Sequence, residues 1–136
     1  MFIVVDASVW VARLVSQDVF YEPVKEWMSA RIREDDQFLA PSLLLAEIGG
    51  AISRRTTPSL ARKAIDRIQK LPGLQLVEME NSLLLEAAQL AAELGLRGVD
   101  STCVAVAARL ALPLFTLDID QAARAGKRVK VMGISK

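Results

Sequence analysis

Four acids in this chain stand where surface carboxylates should not. Asp6 closes the short β-rich run Phe2–Val5. Glu47 shares a helical face with Leu44, Ile48 and Ala51, and Asp100 shares one with Cys103, Val104 and Ala107. Asp118 follows the apolar stretch Leu114–Leu117, with Asp120 as an extra acid two residues on. Taken singly, each has an ordinary explanation. Asp6, Asp118 and either Asp100 or Ser101 read as helix caps or turn residues, and Glu47 reads as a boundary residue whose head reaches water. Taken together they need four separate excuses. Two sit at the carboxyl ends of strands, where open parallel sheets bind ligands, and two lie on inward helix faces near that edge. Carboxylates converging within a few ångströms cannot all stay ionised without a cation. An oxygen-only donor set suits Mg²⁺ or Mn²⁺, which activates water and polarises a phosphoryl oxygen.

What is missing sharpens the chemistry. The 136 residues contain no histidine, and the only cysteine is Cys103. Serine–histidine–aspartate triads, cysteine–histidine dyads, histidine-ligated zinc and two-histidine ribonuclease chemistry are thereby excluded. A single thiol also excludes an internal disulfide and a paired-cysteine redox or zinc site. Carboxylates, hydroxyls, lysine and arginine remain to do the work, with a hard metal ion.

The net charge of +1, from 17 basic and 16 acidic side chains, conceals an uneven distribution. Arg54, Arg55, Arg62, Lys63, Arg67 and Lys70 lie within one segment beside a single acid, Asp66, and the stretch from Arg124 to Lys136 has no acid. On charge alone these are solvated helix faces and a basic tail. With the four acids set aside as metal ligands, the remainder is clearly basic and suits a phosphodiester backbone. Arg54, Arg55, Arg62 and Lys63, with Arg97 beside Asp100, are candidates to grip phosphates. Neither a signal-like start nor an apolar run of spanning length is present, so a cytoplasmic protein without a membrane span is expected.

The elements that must position these acids follow from periodicity and punctuation. At 52% apolar residues and mean hydropathy +0.30, the chain is too hydrophobic for disorder and is sized for one domain over residues 1–136. Strands are predicted at Phe2–Val5, Gln37–Ala40, Leu74–Glu78, Pro113–Thr116 and Arg128–Met132. Helices are predicted from a Ser8 cap to about Val15, then over Val19–Arg33, from a Ser42 cap over Leu43–Arg55, and from Thr57-Pro58 to about Lys70. Further helices follow at Ser82–Leu94 ended by Gly95, at Val99–Leu110, and at Gln121–Ala125 ended by Gly126. Trp27 and Met28, on the apolar stripe of Val19–Arg33, serve either the core or a dimer or partner surface. Alternating strands and helices make an α/β domain with a mainly parallel sheet covered on both faces.

The strings VVDASVW, LLLAEIGGAI and VDSTCVAVAARLALPLFTLD, in this order, resemble a PIN-domain nuclease over nearly the whole chain. The size is most similar to that of the VapC-type toxins of toxin–antitoxin pairs. That resemblance implies a PIN-like α/β/α sandwich acting as a Mg²⁺- or Mn²⁺-dependent endoribonuclease on RNA. It also implies a homodimer inhibited by a small antitoxin protein. Asp6, Glu47, Asp100 and Asp118 match the family's acidic quartet, with Asp6 and Asp100 as direct metal ligands, and Ser8 and Thr116 match supporting hydroxyls. Ser101 stands where the family commonly has alanine, Gly49-Gly50 replace bulkier helix formers, and Asp120 competes with Asp118 for the fourth place. Other readings are a PIN nuclease of RNA maturation or decay, or a catalytically silent PIN-like binding module. A phospho-receiver domain lacks its paired acids after the first strand. A dehalogenase-like phosphatase lacks its second acid, because Ser8 holds that position.

Overall fold

Phe2–Val5 forms β1, and its period-two alternation dictates how the two faces of the sheet are covered. The computed structural model describes residues 1–134. Ile3 and Val5 point into one apolar cluster with Trp10, Phe38, Ala40 and Phe115, whereas Val4 points into another with Leu39, Val104 and Leu114. The remaining elements follow in order: α1 (Ala7–Leu14), α2 (Tyr21–Arg33), β2 (Gln37–Pro41), α3 (Leu44–Arg55), α4 (Pro58–Gln69) and β3 (Leu74–Val77). The chain continues through α5 (Asn81–Leu94), α6 (Gly98–Leu110), β4 (Leu114–Phe115), α7 (Ile119–Ala125) and β5 (Val131–Met132). Helices α1 to α4 supply the first cluster, and α5 and α6 with Ala125 of α7 supply the second. The result is an α/β/α sandwich, as expected.

All strand pairs are parallel, in the order β3-β2-β1-β4-β5. In register, Val4 of β1 sits between Leu39 of β2 and Leu114 of β4. The chain winds outward from β1 through β2 to β3, then returns to the other side of β1 for β4 and β5. The reversal creates a crevice at the carboxyl ends of β1 and β4, where no crossover covers the sheet edge. Asp6 and Asp118 lie in the segments leaving these two strands.

Several local expectations are corrected by tertiary contacts. Ser8 does not cap α1. The helix begins at Ala7 with Asp6 in the N-cap position, and the Ser8 hydroxyl turns to Asp6 instead. Ser42 likewise stays outside α3, whose N-cap position is Leu43. Trp27 and Met28 belong to the core. The Trp27 ring lies 4.1 Å from that of Phe115 and 5.9 Å from that of Phe38, centroid to centroid, and Met28 is buried. Thr57 does cap α4 through its hydroxyl, with Pro58 following, and Gly95 ends α5 at φ +69°, a conformation that suits glycine. A Cβ at Gly49 would stand 3.0 Å from Ile65 Cδ1, so the glycine lets α3 and α4 approach closely. Lys136, counted in the basic tail, lies outside the described residues. Among the described residues no helix is long and apolar enough to cross a membrane.

Candidate functional site

The β1 ladder runs one residue past the strand, because the Asp6 N–H donates to Phe115 O at 3.0 Å. This places Asp6 over the crevice, buried at 4% exposure. Although it occupies the N-cap position, its side chain makes no capping bond. Both partners of its Oδ2 are hydroxyls: Ser8 Oγ at 2.7 Å and Thr116 Oγ1 at 2.8 Å. Each hydroxyl is oriented in turn by a backbone amide leaving β4. The Leu117 N–H donates to Ser8 Oγ and the Asp118 N–H to Thr116 Oγ1, both at 3.1 Å. Two relays, amide to hydroxyl to carboxylate, thus pin one oxygen. Among the described residues, Oδ1 meets only the Cys103 thiol, at a distant 4.0 Å.

The other three acids line the same cleft of about 400 Å³. Asp100 lies in the first turn of α6. Its neighbours Ser101 and Thr102 spend their hydroxyls on the backbone oxygens of Gly98 and Val99, both at 2.6 Å, and Arg97 holds the N-cap position. Neither Asp100 nor Ser101 is therefore the cap. Burial pushes the Asp100 carboxyl above its ordinary value, the hydrogen bond from Arg97 opposes this, and the negative charge of Asp6 adds to it. Asp118 serves two ends. Its Oδ1 caps α7 by accepting from the Gln121 N–H at 3.0 Å, while Oδ2 faces Arg97. Glu47, in the first turn of α3, is half-buried on the opposite wall.

Arg97 completes the constellation. Its Nε donates to Asp100 Oδ2 at 2.9 Å and its Nη2 to Asp118 Oδ2 at 3.0 Å, although the side chain is 77% exposed. Hydrogen bonding to Asp100 raises its already high pKa, and Asp118 and Asp6 add to the effect. The four carboxylates expected to converge all line this one cleft. Among the described residues no three acidic or thiol side chains stand close enough to hold one ion in this arrangement. The Arg97 guanidinium spans two of the acids, Asp100 and Asp118.

Of the candidate phosphate-binding residues, Arg55 and Arg97 line the cleft. Arg54, Arg62 and Lys63 are exposed on α3 and α4, away from its walls. Asp120 also stands outside the cleft, its exposed carboxylate paired with Arg124 at 3.0 Å. Three contributors escaped sequence reasoning. Asp18, in the turn before α2, pairs with Arg55 at 3.0 Å on the cleft wall, and Phe20 lies beside it. Gln121 is buried beneath the floor, its Oε1 3.1 Å from Thr116 Oγ1 and its Nε2 3.4 Å from Asp100 O. Its only sequence signal was a position three residues after a capping acid. Burial of Cys103, and then the charges of Asp6, Asp100 and Glu47, push its thiol well above the ordinary range.

A parallel sheet clad on both faces, with carboxylates gathered over its switch point, defines an α/β sandwich built around an acidic site. Residues 3–127 match the model of the PIN domain, and the chain belongs to that family. Solved structures with a similar fold include VapC20 of Mycobacterium tuberculosis, a sarcin-ricin loop cleaving toxin. It is 20% identical, with 89% of this chain and 93% of that chain covered and a TM-score of 0.77. VapBC2 from Rickettsia felis, bound to a DNA fragment from their promoter, is 14% identical over 99% of this chain and 100% of that one, with a TM-score of 0.75. FitAcB from Neisseria gonorrhoeae is 21% identical over 96% of each chain, with a TM-score of 0.69. At these identities the likeness is one of fold. No curated protein sequence matches the chain significantly.

Proposed function

We propose that this protein is a divalent-metal-dependent endoribonuclease, the toxin of a toxin–antitoxin pair. The observation that carries this reading is Asp6: a buried carboxylate at a strand end, one oxygen pinned by two hydroxyl relays, the other left for a ligand. The donor set fits a hard cation, since every candidate ligand is a carboxylate oxygen and the one thiol nearby stays protonated. Asp6 and Asp100 would hold the ion directly, with Glu47 and Asp118 closing the set. When bound there, Mg²⁺ or Mn²⁺ supplies Lewis acidity toward a phosphoryl oxygen and lowers the pKa of a water nucleophile. The chain's own residues do the rest. Ser8 and Thr116 keep Asp6 in its rotamer, Gln121 braces Thr116, and Arg55 and Arg97 bind the flanking phosphates of RNA. Histidine, the usual general base near neutral pH, is absent from the chain, and a water activated by the bound metal would not depend on it.

The toxin role draws support from the similarity of fold to a sarcin-ricin loop cleaving toxin and to VapBC2. It entails a small antitoxin protein as partner, and the family resemblance adds a homodimer. The test is induction in a bacterial host followed by sequencing of RNA ends. New ends and growth arrest are expected with the wild type, absent with Asp6→Asn, and suppressed by co-expressing a small adjacent reading frame. Arrest with both forms would show that Asp6 has no part in it. Specific new ends without arrest would assign the nuclease to RNA maturation or decay.

A further inference from the structure

We infer that Arg97 is the site's own exchangeable countercharge: it bridges Asp100 and Asp118 when no metal is bound, and yields them to a divalent cation. The inference rests on the metal-dependent reading above and extends it to a residue that the reading uses only for phosphates.

Three observations carry it. First, the guanidinium makes two separate hydrogen bonds, to Asp100 Oδ2 and Asp118 Oδ2, so it neutralises acids from two different elements, α6 and the exit of β4. Second, it stands at the N-cap position of α6, three residues before Asp100, so its backbone belongs to the helix start while its side chain reaches the acids from the solvent side. Third, that side chain is 77% exposed, in contrast to Asp100 at 15% and Asp118 at 30%. Asp118 is further held by its cap bond from the Gln121 N–H, and both acids are far less exposed than the guanidinium. Releasing an exposed guanidinium to water costs little, whereas leaving partly buried carboxylates without countercharge costs more. Arginine spreads one charge over a planar fork, and a divalent ion concentrates two at carboxylate distance. Exchange therefore runs toward the ion, and the freed guanidinium remains beside the cleft, where a phosphate is its natural partner.

The exchange is tested by measuring Mn²⁺ binding to the intact protein by isothermal titration calorimetry at fixed ionic strength. Wild type, Arg97→Gln and Arg62→Gln are compared. Arg62 is exposed and off the cleft, so its variant loses the same charge without touching the acids. Arg97→Gln is expected to bind Mn²⁺ about 3- to 10-fold more tightly than Arg62→Gln, the range set by losing one or two exposed ion pairs as competitors. Thermal unfolding adds a readout that a merely structural role would not produce. Relative to wild type, Arg97→Gln should melt lower in chelator and gain more from Mn²⁺. If Arg97→Gln does not fold, Arg97→Lys replaces it, because one ammonium cannot span both carboxylates as the fork does. Equal Mn²⁺ affinity in the Arg97 and Arg62 variants overturns the exchange while leaving the metal reading intact. No Mn²⁺ binding by the wild type overturns both.

Discussion

At the scale of single residues, the site separates groups that hold from groups that act. Ser8 and Thr116 touch Asp6 and spend their hydroxyls on its Oδ2. Orienting partners of this kind typically contribute 10- to 100-fold in metal affinity or activity, so Ser8→Ala and Thr116→Val should each lower RNA cleavage by about that factor, read in steady-state kinetics. Asp100 gives a signed prediction. Burial first, and then Asp6, raise its carboxyl above the ordinary 3.8 against the pull of Arg97, so the folded chain retains a proton that the unfolded chain has released just above that value. Stability of the metal-free protein therefore falls as pH rises through that interval. Asp100→Asn should accordingly melt higher than wild type at neutral pH in chelator, with the advantage gone below the ordinary carboxylate value. Thermal melts across pH check this. The odd positions of Asp6, Glu47, Asp100 and Asp118 were legible in sequence because carboxylates interrupt apolar patterns. Arg97 as a bridge, Gln121 as a brace and Asp18 as a partner of Arg55 were not. The Arg97 and Asp18 contacts span 21 and 37 positions, and the brace of Gln121 on Thr116, only five apart, depends on a turn between them, so none leaves a periodic trace.

At the scale of elements, tertiary contacts decide where local propensity is overridden. Ser8 has the chemistry of a cap, yet it lies within α1 because a carboxylate two residues back and an amide 109 residues away claim its hydroxyl. Strand and helix order was legible because Pro58, Pro72-Gly73 and Gly95 punctuate it. Strand lengths were less so: β4 and β5 have only two residues each, where longer runs were expected. The α3–α4 contact yields a paired prediction. A Cβ at Gly50 meets only the flexible end of Arg54, so Gly50→Ala should stabilise by up to about 1 kcal/mol through helix propensity. Gly49→Leu drives a bulky group into Ile65 and should destabilise by about 1–3 kcal/mol. Denaturant unfolding distinguishes the two. Trp27→Ala, which empties the space against Phe38 and Phe115, should cost about 3–5 kcal/mol.

At the scale of the whole molecule, near-neutral net charge proves to be a sum of unlike parts. An acidic cleft sits over the switch point of the sheet, with Arg55 and Arg97 on its walls, while the exposed Arg54, Arg62 and Lys63 of α3 and α4 lie away from it. The missing histidine and the four carboxylates of the cleft together are what the proposed metal-dependent chemistry requires of this chain. The most direct measurement is cleavage of a structured RNA by purified protein, wild type against Asp6→Asn, in Mg²⁺ and in chelator. The expected result is cleavage by the wild type only with the metal, and loss of cleavage in Asp6→Asn with an unchanged circular-dichroism spectrum. Equal cleavage by the two proteins in Mg²⁺, or undiminished cleavage by the wild type in chelator, would contradict it.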